Sequence, residues 1–259
     1  MLGKLMKYEF KSTARTFLPI YGALLATAFV TRLMMWGDAG TISMNGNFAY
    51  NLISGIVVFL FIALLVATFA LSLIVTLQRY YKNLLGEEGY LSMTLPVKPW
   101  QHITSKLVVS SVWYIASGVV AMLSFFILML SRDFFTQFSH AITQIFSWIT
   151  WDANTVMGTI ELILMMLVGM ACCILILYAS MSLGQLTNKS RKLASFGWFL
   201  GLMFAMQMLT GFLTRAFSGM MGHISFHAAA WYAIILMLAF SAVFFFLSNY
   251  MLSKKLNLE

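Results

Sequence analysis

Charge is scarce in this chain. Only 9% of its 259 residues are Asp, Glu, Lys or Arg, against about 25% in an average soluble domain, while 61% are apolar. Sixteen basic and eight acidic side chains cannot clothe the surface of a 29.2 kDa globule, because a water-soluble fold keeps most of its charged groups outside. A soluble fold is excluded on that ground, and the mean hydropathy of +0.88 agrees. Cysteine is nearly absent: Cys172 and Cys173 are adjacent within an apolar run, so neither a disulfide framework nor a thiolate metal site can be built. The three prolines, Pro19, Pro96 and Pro99, make no Pro-rich linker. Gly-x-x-x-x-Gly-Lys-Ser/Thr, the loop that cradles nucleotide phosphates, does not occur; the one Gly-Lys step is Gly3-Lys4.

What the chain has instead is long apolar runs, at residues 17–35, 51–77, 107–130, 155–184, 194–212 and 227–251. At about 1.5 Å rise per residue each can cross a hydrocarbon core of about 30 Å as a helix. Barrel strands alternate in polarity and are about 10 residues long, so the sequence predicts an all-α polytopic membrane protein with six transmembrane helices. No repeat or low-complexity tract divides it, so it is expected to form one transmembrane domain over 1–259. The first run follows a basic segment, as in a signal peptide, but Ala26-Thr27-Ala28 lies inside the run and not after it, so a retained span is expected.

The positive charge sets orientation and does not mark a nucleic-acid site, since it falls in short clusters between the runs. Lys4, Lys7, Lys11 and Arg15 precede the first run, and Arg79, Lys82, Lys98 and Lys106 lie between the second and third. Lys189, Arg191 and Lys192 separate the fourth and fifth, and Lys254 and Lys255 follow the sixth. Arg32, Arg132 and Arg215 fall on the other side. Both termini are therefore predicted to be cytoplasmic.

Two flanking segments stand out. In the first ten residues Leu2, Leu5, Met6 and Phe10 share a helical face away from Lys4, Lys7 and Lys11, which predicts an N-terminal interfacial elbow helix or a plain positive flank. Between runs two and three, Gln78-Arg79-Tyr80-Tyr81-Lys82-Asn83-Leu84-Leu85 suits a short helix with Tyr81, Leu84 and Leu85 on one face. Gly86 and Gly89 bracket Glu87 and Glu88 as turn points, and Tyr90 follows. Such a segment is either a docking element or a solvated loop with an interfacial tyrosine belt. The later Leu95 to Trp100 reads as an extended or turning piece.

With residues 81–91, Thr94-Leu95-Pro96-Val97, Ser105-Lys106-Leu107, Ser182-Leu183-Gly184-Gln185-Leu186, Asn188-Lys189, Arg191, Asn249-Tyr250 and residues 254–258, nearly the whole chain resembles the permease subunits of bacterial ABC-2 type transporters. The resemblance implies a subunit of an exporter in the bacterial plasma membrane, paired with a second permease copy or a related permease. It also implies two separate ABC ATPase subunits that carry the ATP and Mg, leaving this chain without cofactor or catalytic activity of its own. In that family the helix between spans 2 and 3 is a cytoplasmic coupling helix docked on the ATPase. Carried over, that role falls on Arg79, Tyr80, Tyr81, Lys82, Asn83, Leu84, Leu85, Gly86, Glu87, Glu88, Gly89 and Tyr90, with Glu87 and Glu88 as charge partners. Asp often stands in the family where Glu87 stands here.

The remaining polar signals are single residues. Gly197 and Gly201 form a small-xxx-small pattern for dimer contact or intrachain helix packing, and residues 214–226 are too polar and Gly-rich to span. The resemblance implies a short re-entrant lid there. Glu161 is the one acidic residue within a run, hence a candidate cargo contact or a carboxylate at the outer interface. Arg32 is expected to snorkel to the head groups. His223 and His227 are spaced i, i+4 but have no third ligand nearby, so no metal site is expected. The twenty methionines fit a cavity for amphipathic cargo (a peptide antibiotic, drug or lipid-like molecule) or ordinary apolar packing. A stand-alone carrier or channel, or a non-transporting immunity or scaffold protein, would need no ATPase.

Overall fold

A computed structural model describes residues 2–34, 48–86, 89, 97–130, 138–140, 142–144, 152–187, 190–221 and 225–254. Six long helices account for most of them: α1 (Leu2–Met34), α2 (Phe48–Tyr80), α3 (Pro99–Met129), α4 (Ala153–Gly184), α5 (Arg191–Met221) and α6 (Phe226–Lys254). No strand occurs among the described residues. Each helix contains a stretch long and apolar enough to cross a membrane, so the chain is an all-α, multi-pass membrane protein. Large apolar side chains stand uncovered on the helices, among them Phe59 at 73% exposure, Met122 at 75% and Phe204 at 62%. Water would penalise each by about 1.5–3 kcal/mol relative to burial, whereas lipid does not.

The helix ends differ from the sequence expectation in three places. α1 runs unbroken from Leu2, so the stretch expected as an elbow is continuous with the first span, although Lys4, Lys7 and Lys11 do lie exposed while Leu2, Leu5 and Met6 are half-buried. Pro19 sits inside α1, as membrane helices tolerate. α3 starts at Pro99, eight residues before the expected apolar run. Proline suits the first helical position, and Gln101 Oε1 accepts the Lys98 N–H at 3.3 Å, half of a capping box. α5 continues to Met221. Thr214–Met221 is thus helical, and no separate lid begins at Thr214; a single Gly219 costs about 1 kcal/mol, too little to end a long helix.

The chain divides into two compact units. The first comprises residues 8–75 and 112–150. Its core is Leu24, Ala28 and Phe61, with Leu64, Leu65, Val120, Ile127 and Leu128 packed against them. Beside it, Phe10 and Phe17 both stack on the Trp113 indole, with centroids 4.8 and 4.6 Å away, and Trp113 Nε1 donates to Thr13 Oγ1 at 2.7 Å. Positions 10, 13 and 17 lie on one helical face, which is why three such different residues converge on one ring. A hydroxyl chain, Tyr21 to Ser117 at 2.7 Å and Ser117 to Ser72 at 2.9 Å, ties α1, α2 and α3.

The second unit, residues 1–7, 76–111 and 151–259, is built on α4. A Cβ at Gly158 would touch Phe226 and His227, one at Gly169 would touch Met237, and the Cys172 thiol meets the Ser241 hydroxyl. The partners advance together along both chains, so α4 and α6 run parallel over most of their length. α5 returns antiparallel between them in sequence, and a Cβ at Gly184 would lie 2.8 Å from Ser195 Cα. Only glycine permits that approach of the α4 end to the α5 start.

Candidate functional site: the two ends of the α4 and α6 pair

Polar chemistry in the second unit gathers at opposite ends of α4. At its C-terminal end the buried Tyr80 ring, last in α2, stacks on buried Tyr178 with centroids 4.1 Å apart and planes 8° apart. Ser182, one turn past Tyr178, donates to the Tyr178 carbonyl at 2.9 Å. That leaves Tyr80 Oη to donate to Ser182 Oγ across 2.7 Å. Ser248 of α6 also lies within hydrogen-bonding reach of the Tyr80 hydroxyl, and Ser110 of α3 is 3.2 Å from Tyr178 Oη. Four helices therefore meet on two phenols and three hydroxyls, none of them charged.

Beyond Tyr80 the backbone widens into a π-wound turn, Tyr81–Leu85, closed by the Gly86 N–H donating to the Tyr81 carbonyl at 2.8 Å. This is a direct continuation of α2, and the separate short helix expected to start near Arg79 is not seen in residues 79–86. Of the apolar face expected there, Leu84 and Leu85 are buried within the chain, while Tyr81 is half-buried and Lys82 is exposed. Sequence periodicity could not distinguish these outcomes, because an apolar face looks the same whether its partner is the chain itself or another protein. Lys192 Nζ sits 6.0 Å above the Tyr81 ring. Glu87, Glu88 and Tyr90 lie outside the described residues; Gly89 donates to the Gly86 carbonyl at 2.8 Å.

At the N-terminal end of α4, Glu161 lies about 12 Å along the helix from its first residue at 1.5 Å per residue and is only 1% exposed. Its Oε2 accepts from His227 Nδ1 at 2.8 Å. Its Oε1 is buried and has no hydrogen-bond partner among the described residues. His227 is the second residue of α6 and keeps a third of its side chain exposed, with its ring seated against Gly158 and edge-on to Phe226. The candidate cargo contact is thus covered by a histidine, and the accessible group is the imidazole. His223 lies outside the described residues, and no cluster of three or more metal-ligating side chains occurs among those described.

Comparison with protein-family models, curated proteins and solved structures found no match.

Of the other predicted residues, Gly197 and Gly201 on α5 have no atom of the described residues within 4 Å of the position of a Cβ. Sequence reasoning missed His227 as the Glu161 partner, having weighed it only against His223. It also missed Tyr178 and Ser248, which carry no signal in an apolar run except that a hydroxyl in lipid needs a partner.

Proposed function

We propose that this chain is the membrane-spanning permease subunit of an ABC exporter in a bacterial plasma membrane, with N and C termini cytoplasmic. Two separate ATPase subunits power alternating access, and a second permease copy or a related permease completes the pathway for an amphipathic or hydrophobic cargo. The carrying observation is the Tyr80 junction. The segments that bear the family resemblance are far apart in sequence, yet the residue preceding the first, Tyr80, bonds Ser182 in the second and lies beside Ser248, next to the third. A π-wound helix end clamped by ring stacking and hydroxyl bonds is a rigid joint. A push delivered to residues 79–90 by a closing ATPase would reach α4 and α6 without loss in a flexible linker. Because Leu84 and Leu85 are occupied internally, docking in this reading uses charge, from the exposed Lys82 and from Glu87 and Glu88 of the sequence, and not those two leucines. The chain contributes no nucleotide site in this proposal, in line with the lack of a phosphate loop in its sequence.

Gentle extraction of the C-terminally tagged protein from its native membrane should bring down a stoichiometric subunit bearing a phosphate-loop motif. Replacing both Glu87 and Glu88 by Ala should lower the ATPase activity of that complex while leaving membrane insertion intact. Recovery of this chain alone, under conditions that keep a known ABC complex together, would overturn the proposal. The Glu161–His227 pair favours one second reading, a stand-alone carrier coupled to an ion, since ionisable groups at membrane depth mark ion pathways. ATP-independent uptake into proteoliposomes holding only this chain, lost in Glu161→Gln, would select that reading.

A further inference from the structure

Between the end of α2, the end of α4 and the first turn of α5 lies a recess of about 300 Å³, lined by Leu77, Gln78, Tyr81, Met181, Lys192 and Ser195. We propose that it binds the head group of an anionic phospholipid. This inference rests on the membrane location of the chain and is independent of the exporter reading.

The lining divides into a polar rim and an apolar floor. Lys192 supplies an ammonium held over the Tyr81 ring, the Gln78 carboxamide is exposed beside it, and the Tyr81 hydroxyl adds a donor. Ser195 contributes no proton, because its hydroxyl already donates to the Arg191 carbonyl at 2.8 Å. Lys192 and Ser195 belong to the start of a 31-residue helix, whose first N–H groups lack intrahelical acceptors and whose dipole favours an anion. The one charged side chain among the described lining residues is the Lys192 ammonium, and a phosphate is the complementary group.

The surroundings select a lipid over a soluble anion or an acidic protein segment. Leu193 and Phe196, neighbours of Lys192 and Ser195 on α5, are 72% and 60% exposed, and Leu186 past the end of α4 is 49% exposed. Water penalises each such side chain relative to burial, whereas hydrocarbon does not. The recess therefore opens at the boundary between tails and head groups, with Leu77 and Met181 as a floor for the glycerol end of a lipid. Its volume is at the lower limit for small-molecule pockets, enough for a head group while the acyl chains stay outside along α5. Arg79, Lys82 and Arg191 lie in the same chain segments, consistent with the leaflet in which anionic lipids attract basic residues.

The test is native mass spectrometry of the full chain in detergent with phosphatidylglycerol and phosphatidylcholine added at equal concentration. Phosphatidylglycerol adducts should predominate. Lys192→Ala should cut that preference about tenfold, as expected for losing one charge-assisted hydrogen bond. Lys192→Arg should preserve it, and Lys98→Ala, an exposed lysine outside the recess, should leave it unchanged. Equal retention of the two lipids, or equal effects of Lys98→Ala and Lys192→Ala, would overturn the proposal. Displacement of the lipid by excess inorganic phosphate would reduce the recess to a simple anion site and also overturn it. So would unchanged lipid binding in Lys192→Ala accompanied by loss of a co-purifying ATPase, which would hand the recess to a protein partner.

Discussion

The two ends of α4 solve the same problem with opposite chemistry. Both bring polar side chains into an apolar setting and both join α4 to α6, but one uses neutral hydroxyls and stacked rings and the other a single carboxylate under a histidine. At Tyr80 the Ser182 hydroxyl is satisfied twice, once by the Tyr178 carbonyl and once by Tyr80, so little free energy depends on any one bond. At Glu161 one oxygen has a partner and the other has none among the described residues, so the whole arrangement depends on His227. Redundant neutral bonding makes a joint that survives motion; a lone charged contact makes one that can be switched by removing its partner.

The sharpest way to break the Tyr80 end is through its backbone. Gly184→Val places a side chain where Ser195 Cα already stands 2.8 Å away from the Cβ position. Because the atoms met include the α5 backbone and not only a flexible side-chain tip, destabilisation should reach about 3 kcal/mol. Loss of the monodisperse peak in size-exclusion chromatography of the detergent-solubilised variant is the expected result. A variant with wild-type elution and thermal stability would show that the α4 to α5 approach is dispensable.

Next in size comes the opposite end. His227→Leu strands the Glu161 carboxylate without a partner and should cost about 3 kcal/mol in SDS-driven unfolding, because breaking a buried pair leaves an uncompensated charge. Combining Glu161→Leu with His227→Leu removes the charge as well and should recover most of that loss. If the double variant is as unstable as the single, packing and not charge is what His227 contributes, and the contrast between the two ends fails. Tyr80→Phe is the matching change at the hydroxyl end. It deletes the contacts to Ser182 and Ser248, two serines that each keep a backbone acceptor, so about 1 kcal/mol is expected from the same measurement. A loss as large as that of His227→Leu would mean that the neutral joint is no more redundant than the charged one.

These contrasts also show which features could be read from sequence. The six spans were legible because lipid demands about twenty consecutive apolar residues, a constraint each segment meets alone. Element ends were less so: residues 99–106 and 214–221 are helical although polar, since a helix already nucleated extends at little cost per residue. Partners were illegible wherever they came from another helix. Glu161 announced itself as a lone carboxylate in an apolar run, but nothing in the run names His227, 66 positions away. Tyr81, Leu84 and Leu85 were legible as an apolar face, but that Leu84 and Leu85 are buried within the chain was not, since periodicity records that a face is apolar and not whose surface meets it.

The smallest expected destabilisation of the isolated chain concerns α5, and it separates two kinds of apolar face. In the α4 to α6 contact, glycines are in ordinary contact with the facing helix at Gly158 and Gly169. On α5, Gly197 and Gly201 face nothing among the described residues, and none of the apolar stretch of that helix is buried by them. Lipid alone would not require small residues there, because acyl chains accommodate side chains of any size, whereas a second helix needs them to approach closely. Gly197→Leu and Gly201→Leu together should therefore not destabilise the monomer, and each replaced glycine can add up to about 1 kcal/mol through helix propensity. Where this face meets the second permease copy of the proposed complex, the same variant should shift the mass measured by light scattering in mild detergent from dimer to monomer. An unchanged dimer would assign this face to lipid. A destabilised monomer would mean that α5 packs within its own chain, contrary to the open space around both glycines.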